Sequence, residues 1–380
     1  MKITKLMLSA FVAAFALVAC NKDETTPENT SLKTVSISLE NIITTKGPAG
    51  DKIQPDANGK MPVNVNNIKI FLTDGSYSPG YSAQDVNGGV AQTYFDLTAP
   101  DAINLGDEIQ FHYVDHKCNK VVVVANVDED VTLNDIKNNT GVIADQQDQN
   151  TLILWAESAL RSTGEYHTNE ETGKHTEVYE AALTLKPVIS RFEIDGFRVA
   201  FSDPAKFNSI AVTAVAFQNY YESFKFAVGS SILPTPSDIK NHVTLGNESA
   251  VFNWFNNSAT SAWYIDKFEA SEMTMTPGAP AADCAPRAYH FYAGNAVPTM
   301  IVTLLADGNP AYVYAEEYMT AGGVSIANLE PGKIYRMSAA GEVAGDGSVI
   351  IPDDLDPIER CIDITVDVVD WVVELITPQF

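Results

Sequence analysis

Basic residues are in short supply. The 380-residue chain holds 24 Lys and Arg against 49 Asp and Glu, a formal charge of −25. Nucleic-acid backbones are gripped by clustered cations, so a nucleic-acid partner is disfavoured. The surplus of acid reads as a device for solubility. Cysteine is scarce too: only Cys20, Cys118, Cys284 and Cys361 are present. Four are too few for a disulfide scaffold in a chain of this length, so the fold must stand on apolar cores. Long apolar runs are limited to Leu6–Ala19, broken only by Ser9 and preceded by Lys2 and Lys5. That run is too short to span a bilayer and is arranged like a secretory signal. No second stretch of this kind follows.

Recognisable chemistry is also missing. No GxSxG, P-loop or GxGxxG stands in a strand-turn-helix context, and no HExxH is present, so enzymatic activity and a cofactor are not expected. His112, His116 and Cys118 lie close in sequence, but positions four apart on a strand are separated by about 13 Å, too far to share a metal without a turn. The segment 164–175, with His167 and His175, reads as a solvated hairpin-like loop. Asp346, Asp353, Asp354 and Asp356 lack the fixed ligand spacing of a calcium loop.

What the chain does have is short period-two runs separated by Gly, Pro, Asn and Asp. The first is at 33–40, with Val35, Ile37 and Leu39 on one face and Thr34, Ser36, Ser38 and Glu40 on the other. Further strands are predicted at 66–73, 120–127, 179–186, 190–201, 210–217, 299–306, 311–318 and 332–337. A helix is predicted only at about 132–138, where Thr132 is placed to cap and Leu133 and Ile136 share a face. Strands without βαβ alternation predict an all-β fold of sandwiches. Pro187 interrupts two strands and marks the division: 1–19 signal peptide, 20–31 polar tether, 32–187 an N-terminal sandwich, and 188–380 a C-terminal one.

The final segment carries the same period. Ile364, Val366 and Val368 alternate with Thr365 and Asp367, and after a step Trp371, Val373 and Leu375 take up the pattern. Alternation alone leaves open whether this strand completes its own sheet or is offered to another molecule. The acidic, glycine-bearing stretch at 341–357 supplies slack for either.

Two resemblances narrow the choice. The signal ends in "LVAC", similar to a lipobox, which implies lipid attachment at Cys20 and cleavage before it; several acyl chains anchor firmly where one binds marginally. The following "NKDE" is similar to an export signal for the outer surface. Farther on, "VNNIKIFLTDG", "KCNKVVVVANVDED", "KPVISRFEIDGF", "YHFYAGNAVPTMIVTL", "LEPGKIYRM" and "VDWVVEL" resemble, in order and over the whole chain, the fimbrillin family of type V pilus subunits made from lipoprotein precursors.

This resemblance implies two tandem transthyretin-like β-sandwich domains and a fibre built by donor-strand exchange after proteolysis. The first strand would be removed, and residues 362–376 of a neighbouring copy or a homologous pilus subunit would refill its place. It further implies cell adhesion, a lipid anchor in the outer membrane, surface exposure in a fimbrium, and a maturing extracellular protease as partner. The family's protease cuts after arginine, yet no arginine precedes Arg161. Lys46, followed by Gly47, is the best-placed substitute and Lys52 the second. An uncut subunit would act as an anchor, a cut one as shaft, and the intact last strand argues against a tip subunit.

A surface lipoprotein that binds glycan or host protein without polymerising is the alternative. Trp155, Trp254, Trp263 and Tyr264 are its candidate platform, against the commoner role of such rings in cores. The lipid assignment is tested directly: Cys20→Ser abolishes metabolic labelling with palmitate, and undiminished labelling contradicts it.

Overall fold

The computed structural model describes residues 32–39, 61–63, 65–78, 80–85, 89–98, 108–138, 141–148, 151–169, 173–226, 234–236, 239–259, 261–320, 322–338, 348–355, 364–370 and 373–375. Their architecture is all-β, with two short helices. The first part of the chain supplies β1 (Leu32–Leu39), β2 (Asn67–Thr73), β3 (Tyr94–Asp96), β4 (Ile109–Asp115), β5 (Lys120–Ala125), β6 (Leu154–Ala159), β7 (Arg161–Thr168), β8 (His175–Leu183) and β9 (Lys186–Pro187). They form a four-stranded sheet ordered β4-β1-β8-β7 and a five-stranded sheet ordered β9-β6-β5-β2-β3. Val121 to Val124 of β5 are all fully buried, as a continuous apolar run in the middle of a sheet should be.

After β9 the chain passes into a second set of sheets. These hold β10 (Ile189–Ala200), β11 (Ile210–Gln218), β12 (Ile265–Lys267), β13 (Ala281–Tyr292), β14 (Thr299–Ala306), β15 (Asn309–Ala315), β16 (Tyr318–Thr320), β17 (Lys333–Ser338), β18 (Ser348–Pro352) and β19 (Ile364–Asp370). One sheet runs β13-β10-β17-β19-β16, with β18 also pairing β10; the other runs β12-β11-β14-β15, with Thr274–Met275 also pairing β11. Phe192 of β10 is fully buried against the rings of Phe291, Tyr318 and Tyr335, whose centroids lie 5.2–5.4 Å away. Such aromatic contacts add to the area they bury.

The predicted helix appears as α1 (Leu133–Asn138), whose start is tied reciprocally by Thr132 and Asp135: each backbone N–H donates to the other's side chain, at 2.9 and 3.1 Å. A second helix, α2 (Glu248–Asn257), was not expected. Asn247 accepts from the N–H of Ala250, and Val251 and Phe255, one turn apart, pack on Ala214, Ala216, Ile301 and Tyr312 of the sheet below. The segment 311–318, read as one strand, is β15 and the start of β16. The supposed loop at 164–175 is mostly the β7–β8 hairpin.

The two sets of sheets meet at a polar knot. His290 of β13 is 2% exposed, and its Nδ1–H donates to the carbonyl of Gln146 at 2.7 Å. Its Nε2 therefore accepts, from Arg191 Nη1 at 3.2 Å. Gln147 clasps the same strand, with its Nε2 donating to the His290 carbonyl and its Oε1 accepting the His290 N–H. Arg191 is in turn paired with Glu193 at 2.7 Å, and Glu193 also accepts from Arg336 Nε at 3.0 Å. Burial first, and the Arg191 cation second, push His290 from the ordinary 6.5 down to about 3.

A histidine held neutral in the fold and free to protonate when unfolded favours the fold above its unfolded pKa and weakens it below. Stability supplied by His290 is therefore complete above about pH 6.5 and is lost as the pH falls toward about 3. Melting curves between about pH 7 and pH 4 should show a shallower decline for His290→Gln than for the natural chain. Parallel declines would place the acid sensitivity elsewhere.

Candidate functional site

The first strand is an interior strand, flanked on both edges. On one side β1 pairs antiparallel with β4, from Leu32 opposite Asp115 to Ile37 opposite Ile109; on the other it pairs parallel with β8, from Lys33 beside Glu177 to Leu39 beside Leu183. Val35 and Ile37 are fully buried and Leu39 is nearly so, which agrees with their predicted face. Moving each such side chain out of water contributes about 1.5–3 kcal/mol.

The opposite face is polar in composition yet partly buried. A polar face of a strand is ordinarily wet, but Thr34 and Ser36 are buried. The Thr34 hydroxyl lies 3.2 Å from His112 Nδ1 on β4 and 2.7 Å from the Thr176 hydroxyl on β8, so one group bridges both neighbours. Ser36 donates to Glu108 Oε1. His112 is itself buried, with its ring 4.3 Å from that of His167 on β7. Burial, and then His167, lower its pKa, which keeps it neutral at ordinary pH. A groove of about 540 Å³ runs along this side, lined among others by Ser36, Ser38, Glu108, Arg161 and Glu180.

Lys33 closes the near end. Its ammonium donates to the carbonyl of Cys118, lies 3.5 Å from that of His116, and stands 4.2 Å from the centre of the Tyr179 ring. Burial lowers its pKa, against the opposing pull of Cys118, Glu177 and Asp115. His116 is in the turn after β4, and among the described residues no group of three or more His, Cys, Asp or Glu is placed to hold a metal.

The final segment divides in two. β19 pairs antiparallel with β17 and parallel with β16, and Ile364 and Val366 are 2% and 1% exposed in the chain's own sheet. In this arrangement those two side chains are occupied at home. Val373–Leu375, which we call β20, instead pairs in parallel with Met61–Val63, just ahead of β2. Only the backbone of Val368, Val373 and Leu375 is described, and Cys20, Lys46, Gly47 and Trp371 lie outside the described residues.

The candidate aromatic platform is occupied by its own members. Trp155 is buried, 5% exposed. Trp254 and Tyr264 stack with His242, at 5.0 and 4.3 Å, and Trp263 meets Tyr220 edge-on at 4.9 Å, fastening α2 and its flanks to the sheet.

Because Thr34 serves two partners, Thr34→Val leaves His112 and Thr176 without their shared hydroxyl, at an expected cost of about 1–3 kcal/mol. Ser38→Ala, at an exposed position of the same strand, should stay within about 0.5 kcal/mol. Denaturant titration of both variants decides whether the polar side of β1 is a specific seat.

No family model and no curated protein matches the chain. Among solved structures, a candidate cell adhesion protein from Parabacteroides distasonis ATCC 8503 aligns over 92% of this chain and 99% of its own, with a TM-score of 0.52 and 13% identity. A candidate cell adhesion protein from Bacteroides eggerthii DSM 20697 aligns over 91% and 98%, with a TM-score of 0.48 and 14% identity. A fimbrilin from Porphyromonas gingivalis W83 aligns over 92% and 99%, with a TM-score of 0.47 and 13% identity. These neighbours are described as adhesion or fimbrial proteins, not as enzymes. The chain thus shares, along almost its whole length, the all-β fold of the Parabacteroides protein.

Proposed function

We propose that the chain is a structural subunit, shaft or anchor, of a surface fimbria and contributes to cell adhesion. It is exported as a lipoprotein acylated at Cys20, folds as two tandem sandwich domains that divide near Pro187, and assembles by proteolysis and strand exchange. The observation that carries this reading is the position of β1. An N-terminal strand wedged between β4 and β8 can be removed only by leaving two unpaired backbone edges and an apolar slot behind. Such a slot is a template for another chain's strand.

Removal requires a cut in the connection between Leu39 and Met61, where Lys46 precedes Gly47. A trypsin-like cut there separates the strand from the body. Lys33, the only cation in β1, is buried in the ladder and is not available to a protease in the folded chain.

The donor is the segment from Ile364 to Leu375. Its own seat in the sheet, antiparallel to β17 and parallel to β16, has the same mixed polarity as the seat of β1. A strand that satisfies one such seat has backbone geometry suited to the other. Since β19 is packed at home while β20 has already left that sheet, the distal part, Trp371 to Leu375, enters the neighbour and β19 remains as its base.

Two variants separate these halves. Val366→Asp puts a charge into the chain's own core and should lower the stability of the uncut monomer by roughly 3 kcal/mol or more. Removal of residues 371–380 should leave monomer melting nearly unchanged and stop donation: the uncut truncated chain should no longer join the heat-sensitive oligomers of other cut subunits, as the uncut natural chain does. A truncated chain that still joins them would refute the donor assignment.

A further inference from the structure

The seat of β1 is acidic. Among its ladder partners, Asp115 stands opposite Leu32, Glu177 beside Lys33 and Glu180 beside Ser36, and none is Lys or Arg. Glu108 adds a fourth carboxylate, accepting from Ser36. One guanidinium, Arg161, shares the groove with Glu108 and Glu180. The strand that fills this seat is matched to it. Residues 32–39 contain no acid; they offer Lys33 to two carbonyls and a tyrosine face, and hydroxyls at Thr34, Ser36 and Ser38.

The chain's own C-terminal segment has the opposite character. Residues 361–380 contain no Lys or Arg and carry Asp363, Asp367, Asp370 and Glu374. Seated in the direction of β1, with Ile364, Val366 and Val368 in place of Val35, Ile37 and Leu39, it sets Asp363 where Thr34 stood and Asp367 where Ser38 stood. With Trp371, Val373 and Leu375 there instead, Asp370 and Glu374 take those two positions. Ile362 or Val369 then falls in the place of Lys33, leaving its carbonyls without a cation. Like charges on neighbouring strands repel, and a carboxylate near buried Thr176 and neutral His112 loses its water without gaining a cation. In its home sheet Asp370 is the ladder partner of Lys333 and Asp367 that of Arg336.

We infer that the slot vacated by β1 receives a strand from a different subunit and discriminates against a second copy of this chain. The fitting partner strand carries a cation two residues before its first core side chain, small hydroxyl side chains at alternate positions on the outer face, and no carboxylate there. This inference rests on the strand-exchange reading and names the partner that reading requires.

Peptide exchange tests both separately. The full chain, given a protease site between Leu39 and Met61 and cut there, is challenged with fluorescent peptides. One copies residues 32–39, two copy residues 362–376 and 368–375, and the last is 368–375 with Val369→Lys, Asp370→Thr and Glu374→Ser. At low salt the 32–39 peptide and the substituted peptide should enter about tenfold faster than either natural C-terminal peptide, and the gap should narrow as salt screens the rim. Equal entry of a natural C-terminal peptide would overturn the discrimination while leaving exchange intact. If not even the 32–39 peptide exchanges, strand exchange itself is wrong and the inference falls with it.

Discussion

The structure depends on two ladders that share one strand. β1 gives its backbone to β4 on one side and β8 on the other, and its three apolar side chains to the core between the sheets. A parallel neighbour cannot be reached from β1 by a tight turn, so the strand nearest the N-terminus must be laid beside residues some 140 positions later. The loop-closure entropy of such a contact is met only by many contacts made together. That makes β1 integral to the folded chain.

The polar groups around β1 and at the junction of the sheets follow one rule at different cost. Thr34, Ser36 and Lys33 are buried with partners, as are His290, Arg191 and Glu193. Buried polar groups specify geometry, because a wrong strand or a wrong register leaves them unsatisfied. At the junction this fixes one set of sheets against the other. In the seat of β1 the same physics makes the position specific for the strand that fills it, which an apolar groove alone would not be.

Much of the fold was legible in the sequence because period-two patterning is local. Val35, Ile37 and Leu39 lie on the buried face that their alternation predicts, and the strands at 210–217 and 299–306 coincide with β11 and β14. α2 was not legible as a helix because its window is rich in aromatics and asparagine, which carry weak helix propensity; the usable signal was Asn247 followed by Val251 and Phe255 one turn apart. The buried polar face of β1 was illegible for a different reason. Thr34 and Ser36 look solvent-facing until His112 and Thr176 reach the first, and Glu108 the second, from far along the chain. Alternation likewise could not assign Ile364 and Val366 to their own sheet, since an apolar face fits a home slot and a neighbour's slot equally well. The ladders to β16 and β17, in which both side chains are buried, supply the missing information.

The account therefore turns on whether β1 is present in the assembled protein. The direct measurement is the N-terminal residue, with the intact mass, of the chain taken from fibres isolated from the cell surface. A shaft subunit built as proposed begins at Gly47, or beyond it, and has lost residues 32–39. A chain that begins at Cys20 and still contains β1 in the bulk of the fibre would contradict strand exchange at this site.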